Sequence, residues 1–85
     1  MTYADERVAA EMGRVLLALY RAGMQVRVWP DALRGRAGAR IVAGPLAKRA
    51  APRSATGSGD SPLAAIYAAV ERLNERSGAI VVPID

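Results

Sequence analysis

Residues 57–75 read GSGDSPLAAIYAAVERLNE. The reading of the whole chain turns on whether this stretch cradles a phosphate or only begins a helix. A Walker-type loop needs a lysine and a serine or threonine after its second glycine. Here Gly59 is followed by Asp60, whose carboxylate would repel phosphate. A dinucleotide-binding turn needs a third glycine and a strand leading straight into it, and the sequence suggests neither. A helix start accounts for every residue. Ser61 is placed to cap, Pro62 suits the first helical position, and Asp60 favours the positive end of the helix dipole. Leu63, Ile66, Tyr67, Val70 and Leu73 then recur at helical spacing, and Arg76 and Gly78 mark the far end.

Working outward, TYADERVAAEMGRVLLALYRAG predicts a first helix, capped by Thr2 with Asp5 three residues on. Its expected buried face is Val8, Met12, Val15, Leu16 and Leu19, and Gly23 is its stop. Gly13, mid-helix, costs about 1 kcal/mol relative to alanine and marks a close contact with another backbone. Arg7, Arg14 and Arg21 lie along one side, where Glu11 can pair with the first two, so they read as a solvated face. MQVRVWP predicts a strand ended by Pro30, and ARIVAG a second, joined to it by a long hairpin. PLAKRAAPRSATGSG is small, polar and basic, and predicts a mobile loop over about 45–59, with a short edge strand in part of it as the alternative. AIVVPI predicts a short closing edge strand. The expected fold is therefore α+β in the order α-β-β-α-β. It has one small domain over 1–85, a three-stranded and mostly antiparallel sheet, and both helices on one face.

Composition narrows the chemistry. The 85 residues contain no cysteine, which excludes a disulfide framework and thiolate metal sites. The absence of histidine removes the usual general base and zinc ligand. The serines at 54, 58, 61 and 77 have nothing to activate them. Carboxylates are scattered through the chain, and Glu71 with Glu75 on one helix face is too few for a metal. The chain reads as a non-enzyme with no cofactor and no metal. No apolar run reaches the ~20 residues of a membrane span, and Asp5 and Glu6 stand where a signal peptide would be basic. A cytoplasmic location and no membrane partner follow as expectations.

The net charge of +4 is unevenly distributed. Between Arg27 and Arg53 there are seven basic residues and one acid, Asp31, whereas the two flanks together are net acidic. The expected contact residues are Arg27, Trp29, Arg34, Arg36, Arg40, Lys48, Arg49 and Arg53. Arginine suits bidentate contacts with phosphate or carboxylate. The expected partner is macromolecular, a protein complex or a nucleic acid. Eighteen alanines and no phenylalanine make a lean core, so a homodimer is expected, pairing through an open sheet edge.

Two resemblances bear on function. Gly59, Asp60, Ser61, Pro62, Ala65 and Ala69 resemble the glycine-rich turn and alanine-rich helix of small phage-encoded α/β proteins. Some of those are anti-CRISPRs or other inhibitors of host machinery. The resemblance implies a non-catalytic binding protein that covers a surface of a nucleic-acid-handling or defence complex. Gly57, Gly59, Ser61, Ala65, Ala68, Ala69 and Leu73 are similar to the closing segment of double-stranded-RNA-binding domains, which implies a basic nucleic-acid-binding module. That family carries lysines just after the serine, where this chain has Pro62 and Leu63. The strand expected after the helix is also foreign to that fold.

Overall fold

The computed structural model describes residues 2–47 and 53–83. It has five elements: α1 (Tyr3–Arg21), β1 (Met24–Asp31), β2 (Arg36–Ala43), β3 (Ser54–Gly59) and α2 (Pro62–Ser77). The class is α+β, with an antiparallel sheet in the order β1-β2-β3. The element order is α-β-β-β-α, so the expected order is corrected at its third strand. Ser54–Gly59, read first as part of a loop and only in the alternative as a short edge strand, is an edge strand paired with β2. The closing strand expected over AIVVPI does not form among the described residues, where 79–83 runs irregularly and is held to α2 by Asn74.

Strand β3 escapes a hydrophobic reading because its inward residues are small. Ala55, Gly57 and Gly59 are buried and alternate with Ser54, Thr56 and Ser58. The alternation is the strand period, written without large side chains. Helix α2 sits so close that nothing larger fits beneath it. A β-carbon on Gly57 would stand 2.7 Å from the Ala65 carbonyl oxygen and 2.8 Å from the Ala68 carbonyl carbon. One on Gly59 would stand 2.7 Å from the Ala64 β-carbon. Ala65 and Ala69, fully buried, supply the matching small surface on the helix.

The core lies between the sheet and the helices. Its largest fully buried side chains are Leu19, Ile41, Ile66, Val70, Leu73 and Val82. Ser61 caps α2, its Oγ accepting from the Ala64 N–H at 3.1 Å. Pro62 stands at the helix start, and Gly78 ends the helix at φ +70°. Thr2 and Asp5 form the expected capping box on α1. The buried face of α1 is narrower than expected. Val15 and Leu19 are buried and Met12 is partly so, but Val8 and Leu16 are exposed. Residues 2–10 are all exposed, so the first two turns of the helix lie beyond the core.

The β1–β2 hairpin is tighter than the sequence implies. Residues 32–35 connect the strands, with Gly35 at φ +62°, and pairing begins at Asp31↔Arg36. Pro30 does not end β1 but pairs opposite Ala37. An edge strand tolerates a proline there because it has ladder partners on one side only.

The last residues are held by Asn74. Its Oδ1 accepts from the N–H groups of Val81 at 2.8 Å and Val82 at 3.0 Å. Its Nδ2 donates to the Val82 carbonyl at 3.0 Å. One side chain thus satisfies the backbone of a segment without ladder partners, which lets Val82 bury completely.

Candidate functional site

Strand alternation sorts the central residues onto two faces. Met24, Ala37, Ala39, Ile41 and Ala55 face the helices and are buried. Arg27 and Trp29 on β1, Arg40 on β2, and Thr56 and Ser58 on β3 point to the other face and are exposed. No helix covers that face among the described residues, because α1 and α2 both pack on the core side.

Register brings these side chains into two rows. Arg27 pairs opposite Arg40, and Arg40 opposite Thr56. Trp29 pairs opposite Gly38, and Gly38 opposite Ser58. The indole lies across Gly38, with its Nε1 and Cζ2 both 2.7 Å from where a β-carbon would stand. Glycine here is the condition for the ring to lie down on the sheet. Trp29 remains 38% exposed, so it is propped from below and open above. The Arg27–Arg40 row is electrostatically costly, since like charges directly opposite each other destabilise a sheet pair. Among the described residues, neither Arg27 nor Arg40 has a carboxylate partner.

The arginines nearer the hairpin are different. Arg36 stands opposite Asp31 in the register, and its Nε lies 3.4 Å from the Asp60 carboxylate. Arg34, on the exposed turn, lies 3.9 Å from Asp31. Acids therefore offset the hairpin end, and the uncompensated charge falls at mid-sheet. Arg53 is exposed just before β3, and its carbonyl accepts from the Ala43 N–H. Lys48 and Arg49 lie outside the described residues, as does all of 48–52 within the stretch read as a mobile loop.

Arg72 is a site residue that sequence reasoning missed. With Trp29, Gly38, Thr56 and Ser58 it lines a shallow depression of about 240 Å³, which the Asp31–Arg34 pair also lines. Helix α2 runs beside β3, and one turn further along, Arg76 donates to the Ser54 carbonyl at 2.8 Å. An arginine on a helix where Glu71 and Glu75 balance Arg72 and Arg76 gives no sequence signal that it reaches a sheet face. Thr56 and Ser58 were hidden for the same reason as β3 itself.

The turn before α2 is not a phosphate site. A strand does lead directly into it, contrary to expectation, but Gly57 and Gly59 are filled from behind by helix α2. The Ser61 hydroxyl is taken by the cap, and Asp60 faces Arg36. No three carboxylates cluster as a metal site among the described residues, and no helix there is long and apolar enough to cross a membrane. No family model matches this chain, and no curated protein or solved structure matches it.

Proposed function

We propose that this chain is a non-catalytic nucleic-acid-binding module that takes a single strand on the open face of its sheet. The observation that carries the reading is the unneutralised Arg27–Arg40 pair beside an indole propped on Gly38. Single-strand binders combine cations that follow the backbone with aromatic rings on which bases stack. Here the ring offers one open face, the two guanidiniums suit phosphate oxygens, and Thr56 and Ser58 supply hydroxyls alongside. An incoming phosphate would relieve the repulsion between the arginines, so the cost the sheet carries becomes part of the affinity. The absence of histidine and cysteine supports a binding role over catalysis.

The similarity of Gly57–Leu73 to double-stranded-RNA-binding domains gains one point of support, since no strand follows α2 among the described residues. The helix start nevertheless carries Asp60, Pro62 and Leu63 where that family has cations, which favours the sheet face as the contact. Trp29 is the chain's only tryptophan, so its fluorescence reports directly on the face. Titration with single-stranded DNA or RNA oligonucleotides should quench or shift it, and Arg27→Glu with Arg40→Glu should remove the response. Unchanged fluorescence and no binding at low salt would refute the reading.

A second reading is an inhibitor of the phage type that covers an acidic surface of a larger protein assembly. Tryptophan and arginine are also the residues that dominate protein–protein hot spots, and the same face would serve. Capture of one protein complex that survives nuclease treatment, and is lost with Trp29→Ala, would favour it.

A further inference from the structure

Helix α1 carries a second apolar stripe, on the side turned away from the core. At 100° per residue, Ala9, Gly13, Leu16, Leu17 and Tyr20 fall within one sector, and Glu6 continues it toward the N-terminus. The spacing 9, 13, 16, 20 is the alternating four and three of a helix–helix seam. All of these residues are exposed, Leu17 at 46% and Tyr20 at 79%. Gly13 stands at the centre, and a β-carbon there would meet nothing within 4 Å. Nothing inside the protomer therefore requires a glycine at a position where it weakens the helix. The first two turns also bury no side chain against the core, and an isolated stretch of that length is a poor helix by itself.

We infer that this stripe binds the same stripe of a second copy of the chain, with the two α1 helices antiparallel and crossing at Gly13. A two-fold axis there sets Ala9 beside the second copy's Leu17, and Ala10 beside its Leu16. Glycine at the crossing lets the backbones approach closely, since side-chain size there sets the distance between helix axes. Charge selects the antiparallel arrangement. The N-terminal half of α1 holds Asp5, Glu6 and Glu11 against Arg7, while the C-terminal half holds Arg14 and Arg21. Head to tail, Glu6 meets the second copy's Tyr20 and Arg21. A parallel pair would set each charge against its own copy. The contact is isologous and closes, as a two-fold dimer must, and it leaves the open sheet face accessible.

Sedimentation of the full chain over a concentration series tests this. The expected result is a mass rising to twice the 9.0 kDa of the monomer. Gly13→Gln should weaken association at least about tenfold while α1 becomes more helical, because glutamine is the better helix former and has open space. Glu6→Arg should also weaken it, and adding Arg21→Glu should restore it. A chain that stays monomeric at its highest soluble concentration overturns the inference. So does a dimer that Gly13→Gln and Glu6→Arg leave intact, which would place the contact away from α1.

Discussion

The Ala65 carbonyl oxygen of α2 lies 2.7 Å from where a β-carbon on Gly57 of β3 would stand. That distance leaves no room for any other residue and ties the register of β3 to the seat of α2. Gly57→Ala should therefore destabilise the protein by about 3 kcal/mol, at the upper end of overpacking costs, because backbone rather than a movable side chain must give way. Urea unfolding checks this. A loss under about 0.5 kcal/mol would mean that the helix is not seated on the strand.

Asn74→Ala should cost about 2 kcal/mol, since it leaves the Val81 and Val82 N–H groups without their acceptor. Amide exchange at Val82 should accelerate well before that of β2. Asn74→Asp keeps the acceptor for both N–H groups but sets a carboxylate oxygen against the Val82 carbonyl where the amide donated, so it too should destabilise, and less so at a pH low enough to protonate it.

Arg27→Glu should separate stability from binding. It turns a like-charge pair with Arg40 into an attractive one, for a gain of about 0.5 kcal/mol, and removes a phosphate contact. The expected outcome is a higher urea midpoint together with loss of oligonucleotide binding. For the wild type, each phosphate contact on a single strand should add about −0.7 to the slope of log K against log salt, and Arg40→Gln should make that slope shallower.

Ser61→Ala should cost about 1 kcal/mol by removing the hydroxyl that accepts from the Ala64 N–H. Oligonucleotide binding by the folded variant should be unchanged. Selective loss of binding would mean that the start of α2 does more than cap.

The cap of α1 should respond to acid. Hydrogen bonds from the Thr2 hydroxyl and N–H hold the Asp5 carboxyl below its ordinary value of 3.8. A carboxyl depressed in the folded state stabilises fully above its unfolded pKa, and this is lost as pH falls through the folded value. The first turn of α1 should therefore hold at pH 5 and fray only below about 3.8. The amide shifts of Asp5 and Glu6 followed by NMR would show it, and Thr2→Val should raise the Asp5 titration toward the ordinary value.

The sequence alone determined both helices and their caps, because Thr2, Asp5, Ser61, Pro62 and Gly78 act on backbone within a few residues of themselves. It also marked β1 and the apolar end of β2, where large side chains alternate, and the concentration of charge between Arg27 and Arg53. Tertiary structure alone decided the third strand. Ala55, Gly57 and Gly59 are too small to signal burial, and their role exists only once α2 lies upon them. It also decided which arginines count. Arg36 is neutralised by an aspartate 24 positions away, Arg27 and Arg40 are left facing each other by register, and Arg72 arrives from another element. AIVVPI has the composition of a strand, yet Asn74 takes the N–H groups of Val81 and Val82 and the Val82 carbonyl and holds that backbone against α2 instead of a sheet edge. Local signals act through neighbouring backbone and can be read along the chain, whereas charge compensation and close packing depend on which distant residues the fold brings together.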